Sequence, residues 1–438
     1  MQFLPSSVAL ARKLERMSQR LFVAALAVSL CAGSTSAQAP SSTAAKVATH
    51  PLGAVTATST DSVGILIALR ALSTGEVLVN DVQRSRVLLF DKTLKTSKVV
   101  MDSGATGGAT GGMGGSVTSG QLIPFAGDSS LFVDVSSLSM LVLDPSGKVA
   151  HVMSLPRPRD AMFLAQPVGF GTPQVDPKGR LVYRGVIVNL PKPPEPGAPM
   201  SFTLPEQPDS APIVRADFDT RKVDTLTTIK ALKPGKMSMA PDKEGNMAMK
   251  IVINPLDTGD EWAMITDGSL AIVRAHDYHI DWLDADGTKR STPKMPFDWK
   301  RLTDEQKQFK IDSLRPQFET QLKAQSTRLP TIPTPNGPRR ILINFDFPPL
   351  KDIPDYEPPV SPGSVKADLD NRLWIAPRTA ATASDGGLRY DVVDRNGEIV
   401  DRVQFPKGRV LAGFGPGGAI YVLNISGKTA VLERATLK

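Results

Sequence analysis

Residues 75–91 read GEVLVNDVQRSRVLLFD, a glycine turn, an apolar β-branched run, a polar break, a second apolar run and a closing Asp. Two such runs separated by a short polar break are the pattern of neighbouring antiparallel strands. The same 16-residue step recurs at 268–284, GSLAIVRAHDYHIDWLD, and at 418–434, GAIYVLNISGKTAVLER. A looser copy, DSSLFVDVSSLSMLVLD, runs from 128 to 144. Two further copies are interrupted: GRLVYRG at 179–185 resumes at 213–219, and NRLWIAP at 371–377 resumes at 390–394.

Several closing Asp residues open a second tight turn, as in Asp144 to Gly147, Asp284 to Gly287 and Asp394 to Gly397, so a further strand is expected after each pair. Turn starts at 75, 128, 179, 268, 371 and 418 are 53, 51, 89, 103 and 47 residues apart. A period of about 50 residues with three or more short strands fits one four-stranded propeller blade. The expectation is an all-β fold, a six-bladed β-propeller of four-stranded antiparallel blades with a short helical insertion, occupying 61–438.

The two wide gaps mark insertions at about 185–212 and 292–362. The first contains PKPPEPGAP at 191–199, and proline lacks the donor that a central strand needs. In the second, Thr303 and Gln306 match a capping box ahead of a helix over 303–325, and 326–362 is again proline-rich. DKEGNMAMKIVI at 242–253 opens on its own turn and is read as outer strands of an expanded blade, with a seventh blade as the alternative.

The N-terminus has a different character. Arg12, Lys13, Arg16 and Arg20 precede the apolar run LFVAALAVSLC at 21–31, and small residues Ala37 and Ala39 follow. This is the pattern of a signal peptide over 1–39, cleaved after Ala39, with 40–60 as a flexible segment behind it. The apolar run is too short to span a bilayer, which takes roughly 20 residues. Export implies a periplasmic or extracellular protein. Cys31, the only cysteine, leaves with the leader, and lipidation there is disfavoured by Leu30 before it. Cleavage removes four positive charges and one negative, taking the formal charge of +7 to +4. With no basic run elsewhere, nothing points to nucleic acid.

The unit at 75–91 resembles the NHL repeat, whose blades read Gly-x-Ile-Tyr-Val-x-Asp, a short turn, then Arg-Ile/Val-x-x-Phe-Asp. Gly75, Val79, Asp81, Arg86, Val87, Phe90 and Asp91 fall in register. The middle Asp survives again as Asp134 and is replaced elsewhere by Gly185, Arg274, Pro377 and Asn424. The resemblance implies architecture. The six-bladed class it belongs to includes binding modules, lyases and relatives of metal-dependent lactonases.

Two residue sets carry possible chemistry. His276, Asp277, Tyr278, His279, Asp281 and Trp282 fall together on what reads as the second strand of the fourth repeat, where alternation groups His279 with Asp277 and Asp281. The competing reading of that trio is the solvated face of a half-buried strand. The other set ends the first strand of each pair, taken to line the central channel: Asn80, Asp81, Asp134, Arg184, Arg274, Arg378 and Asn424. Such a ring can hold an anionic or polyhydroxy ligand by charge-assisted bonds. Its competing reading is mutual pairing. Three Arg among two Asp repel a cation, so no metal is assigned.

GATGGATGGMGG at 104–115 lacks the Gly-Lys-Ser/Thr ending of a phosphate loop, and the Asp284 turn has Met295 where a calcium loop has glutamate. No Gly-x-Ser-x-Gly elbow exists, and the chain has only four His. No catalytic residue or cofactor is assigned. The function expected is an exported, monomeric, non-catalytic propeller binding a small ligand or protein partner at its channel mouth or loop face. The alternative is a lactonase- or lyase-type enzyme working at the channel.

Overall fold

A computed structural model of the chain describes residues 47–437 apart from 66, 85, 103–120, 136, 166–170, 188–201, 204–207, 233–235, 242–246, 327–330, 335–336 and 379–385. The leader with Cys31, the glycine-rich stretch, PKPPEPGAP and the turn opening at 242 lie outside the described residues. Two N-terminal strands, β1 (Thr49–Pro51) and β2 (Val55–Val63), precede the first blade. That blade is β3 (Ile67–Ala71), β4 (Val77–Asp81), β5 (Arg86–Phe90) and β6 (Ser97–Asp102). The second is β7 (Leu122–Pro124), β8 (Ser130–Asp134), β9 (Ser139–Leu143) and β10 (Val149–Ser154), followed by a short helix α1 (Ala161–Ala165).

In the third blade, β11 (Gln174–Val175) and β12 (Leu181–Arg184) are separated by an excursion containing β13 (Phe202–Thr203) from β14 (Ser210–Ala216) and β15 (Val223–Lys230). A hairpin of β16 (Lys236–Pro241) and β17 (Met247–Val252) leads to the fourth blade, β18 (Glu261–Met264), β19 (Leu270–Arg274), β20 (His279–Leu283) and β21 (Lys289–Ser291). Helix α2 (Asp304–Ser326) and the hairpin β22 (Thr331–Thr334) and β23 (Gly337–Asp346) come next. The fifth blade is β24 (Val365–Ala367), β25 (Leu373–Ile375), β26 (Arg389–Val393) and β27 (Ile399–Gln404). The sixth has β28 (Arg409–Gly415), β29 (Ala419–Ser426) and β30 (Thr429–Ala435), and takes β2 as its outer strand.

The protein is thus a six-bladed β-propeller. The repeated pair of the sequence is the second and third strand of each blade, and both faces of these strands are buried. Val77 and Val79 enter the core between blades six and one, while Leu78 enters the core between blades one and two. Four further cores fill the gaps between blades two and three, three and four, four and five, and five and six. Successive side chains serve opposite gaps, so these strands read as continuous apolar runs.

The first strands form the innermost ring: β28 lies against β3, β3 against β7, β7 against β11 and β18 against β24. This corrects one expectation. The strands that carry Asn80, Asp81, Asp134, Arg184, Arg274 and Asn424, and the one that Arg378 follows, stand one position out from the axis, because a first strand precedes each glycine turn. Their ends nonetheless open on the same face as the starts of the inner strands, since neighbours within a blade run antiparallel.

Residues 49–63 also differ from expectation. Within the segment expected to be flexible, β2 pairs with β30, closing the ring, and β1 adds a parallel fifth strand to β27. Strand β14 starts at Ser210, inside the first expected insertion, and pairs along its length with β15.

Residues 247–252 belong neither to an expanded blade nor to a seventh one. β13, β16, β17, β23 and β22 form a separate five-stranded sheet, in that order, with β17 parallel to β23. Its strands come from the turn between second and third strands of blade three and from two connections between blades. All three excursions leave the face where the inner strands start. Helix α2 has its capping box: Thr303 N–H donates to Gln306 Oε1 at 3.0 Å, and Gln306 N–H to Thr303 Oγ1 at 3.3 Å. Ile311 packs with Leu256, Leu302 and Ile353 in a small core of this insertion.

Candidate functional site

The ends of the second strands are distributed around one face, and several are spoken for by internal bonds. Asn80 and Asp81 are fully buried. Asp81 Oδ1 accepts the N–H of Gly64 at 3.1 Å and of Arg84 at 3.2 Å, while Oδ2 faces Arg86 Nε at 3.4 Å. Asp134 accepts the Ser137 hydroxyl in its own turn. Arg274 is clamped between Asp281 and Asp260, both at 2.7 Å. Asn424 Nδ2 donates to Glu433 Oε1 at 2.8 Å, and Arg409 holds the same carboxylate at 2.6 and 3.0 Å. These four positions secure turns and blade edges.

Arg184 and Arg378 differ. Arg184, closing β12, is buried and lies over the Phe163 ring at 5.7 Å. Burial pulls its guanidinium down to about 10, against the opposing pull of Glu261. Arg378 follows β25, with its backbone N–H on Pro359 O at 3.0 Å. Its Nε is buried without a partner, and burial lowers it despite Glu357 and Asp257 nearby.

Two residues outside the expected set lie on the inner strands. Glu261 opens β18 and is buried. Its Oε2 accepts the Gly363 N–H at 2.8 Å, and burial pushes the carboxyl up to about 8 against that bond and against Arg184 and Lys366. Lys366, in β24, is lowered by burial while Glu261 pulls it up. Blades three, four and five therefore each supply one ionisable side chain to a single electrostatic neighbourhood: Arg184, Glu261 and Lys366. The sequence signal for the latter two was faint, a lone Glu in the short run EWAMI and a lone basic residue in VKADL.

The histidine cluster is split by the turn. β20 begins at His279, so His276, Asp277 and Tyr278 lie in the turn and Asp277 does not share a strand face with His279. Tyr278 takes φ 50°, and its ring is buried between blades four and five. His276 Nδ1 meets Asp277 at 2.8 Å in solvent, and His279 Nε2 meets Asp281 at 3.2 Å. Asp281 is already occupied by Arg274 and Ser291. Among the described residues, no three His, Cys, Asp or Glu side chains are grouped to hold a metal ion. A carboxyl held in its neutral form beside two basic side chains can donate a hydrogen bond where a carboxylate could only accept.

No protein-family model matches the chain, and no curated protein matches it. Among solved structures it is similar to a catalytically inactive virginiamycin B lyase from Staphylococcus aureus, 10% identical, covering 86% of this chain and 99% of that one, at TM-score 0.39. A gluconolactonase from Xanthomonas campestris is 11% identical over 88% and 99%, at 0.36. A regucalcin from Agrobacterium tumefaciens, a calcium-binding protein, is 10% identical over 89% and 97%, at 0.39. Such scores carry no argument about chemistry, and the fold rests on the strand order and the six cores between blades.

Proposed function

We propose that this is an exported, non-catalytic propeller of NHL-like kinship that binds a small acidic ligand at its channel mouth. The carrying observation is the gathering of Arg184 and Lys366 about Glu261 from three successive blades, with half-buried Arg378 just beyond a fifth-blade strand. Buried cations gain more from an anionic ligand than exposed ones, because desolvation has already weakened their hydration. Asp81, Asp134, Arg274 and Asn424 secure turns and blade edges around the mouth and give the ligand little. The separate sheet and helix, which leave the same face, supply walls.

The test is calorimetric titration of residues 40–438 with gluconate, glucuronate, citrate and phosphate, beside neutral sugars and divalent cations. Saturable binding of one of the acids, lost in Lys366→Gln, is the expected result. Binding of divalent cations alone, abolished when Asp81 or Asp134 is changed, would favour the lactonase-type alternative and overturn this reading. So would acid binding that Lys366→Gln leaves intact.

A further inference from the structure

The N-terminal strap is fastened to blade five by very little backbone. β1 pairs with β27 in parallel over three residues, Thr49 opposite Arg402, His50 opposite Val403 and Pro51 opposite Gln404. Pro51 has no N–H to give, so the next ladder bond comes from Leu52, whose N–H donates to Gln404 O at 2.9 Å. A short edge ladder of this kind opens far more readily than the fold as a whole. Side chains hold its start. Arg402 Nη1 donates to Val47 O at 3.2 Å, and His50 Nε2 lies 2.7 Å from Asp401 Oδ1.

The His50 ring has an acceptor at both ends. Its Nδ1 is 3.0 Å from the Pro51 carbonyl oxygen, which can only accept. Asp401 Oδ1, opposite Nε2, also accepts the Arg402 N–H at 2.7 Å. A neutral imidazole has one N–H and one lone pair, so either tautomer leaves a lone pair facing an oxygen, whereas the imidazolium answers both. The sheet register fixes which charges the ring meets. His50, Val403 and Tyr390 form one row and Asp401 shares their face, while Arg402, Asp391 and Arg389 fall on the other. There both arginines are engaged by Asp391, at 3.2 and 3.3 Å. On the His50 face, the Tyr390 hydroxyl accepts the Leu411 N–H at 3.2 Å, and blade six brings Leu411, Ile420, Val422 and Ala435, none of them charged. Asp401 is therefore the charge that these elements present to the ring.

We infer that His50 is a proton-operated latch on the strap, closed while the imidazole is charged and open once it is neutral. The carboxylate and the carbonyl meet the ring only in the fastened strap, so the folded ring holds its proton to higher pH than the unfolded one, which releases it near about 6.5. The latch is fully engaged below that value and weakens as pH rises through the folded one. Opening frees β1 alone. β2 stays paired with β30 and the ring of blades stays closed, while residues 402–404 of β27 become an open edge and Leu52 loses its hold in the core between blades five and six.

Histidine-ring NMR and amide hydrogen exchange on residues 40–438, from about pH 5.5 to about pH 8.5, test this across the range in which histidine titrates. The His50 signal, assigned by its loss in His50→Gln, is expected to titrate at least about half a unit above the ordinary value of about 6.5. Asp401→Asn should bring that midpoint down. Protection of the Leu52 N–H, taken as a ratio to its intrinsic exchange rate at each pH, is expected to fall about threefold or more across the range, the factor that a half-unit displacement implies. In His50→Gln it should stay level. A His50 midpoint at or below the ordinary value, Leu52 protection that does not change, or a fall that His50→Gln shares in full overturns the inference. A shared fall would belong to Glu261, whose titration loosens the whole fold over the same range.

Discussion

Glu261 shows how one residue couples the channel to solution conditions. Burial is the largest influence on its carboxyl, and it outweighs the Gly363 N–H, Arg184 and Lys366, leaving the group near 8 where an exposed glutamate ionises near 4.5. Between those values the folded protein keeps a proton that the unfolded chain has released. The unfolded state binds fewer protons there, so stability falls as pH rises through this window, and the loss stops once the folded carboxyl also ionises. Lys366, displaced downward by burial, acts with the opposite sign. The ceiling on the Glu261 effect is on the order of 5 kcal/mol, from about 1.4 kcal/mol per unit of displacement. Glu261→Gln keeps the shape and removes the titration. Urea unfolding of the wild type at about pH 5 and about pH 8 should show a loss of stability that the variant lacks, and an equal slope in both proteins would contradict this account. Neither residue was conspicuous beforehand, because an inner strand of three or four residues is too short to show periodicity.

At the scale of elements, the second and third strands of each blade were legible because both their faces are buried, so apolar runs such as VLVND and RVLLF stand out. The capping box of α2 was legible for a local reason, since the Thr303 and Gln306 side chains each reach the other's backbone N–H, three residues away. β2 was not, for VTATSTDSV is polar and acquires its place only from β30, hundreds of residues away. Its pairing slips between Thr58 and Ser62, and at the slip the Ser59 hydroxyl replaces the missing ladder acceptor. Ser59 Oγ accepts the buried Leu432 N–H at 2.9 Å while donating to Asp61 O at 2.8 Å. Ser59→Ala leaves that N–H without a partner away from water, at a cost of about 1–3 kcal/mol. Denaturant midpoints should fall accordingly with the slope unchanged. A midpoint that does not move would mean that the seam carries no strain on this bond.

For the whole molecule, closure is the step on which six equal gaps depend. Five of them separate blades that are neighbours in sequence, but the gap between blades six and one is filled by Tyr421, Leu423 and Leu432 on one side and Val77, Val79 and Phe90 on the other, with Val63 from β2 among them. Leu52, between β1 and β2, enters the adjoining core of blades five and six. The strap is held at several points. β1 pairs with β27, His50 Nε2 lies 2.7 Å from Asp401, and Arg402 Nη1 donates to Val47 O at 3.2 Å. Backbone clearance is equally tight, for a Cβ on Gly53 would stand 2.1 Å from the Thr436 carbonyl oxygen. Removing residues before 64 exposes the outer edge of β30 and part of two cores at once, and an open apolar edge favours association. A chain beginning at residue 64 is therefore expected to bind ANS, aggregate at low temperature and lose its single cooperative unfolding transition. One beginning at residue 47 retains the whole strap and should melt within a few degrees of residues 40–438. If the shorter chain melted cooperatively at the same temperature, the ring would be stable as an open stack of blades, and the N-terminal strands would be ornament on a structure already complete without them.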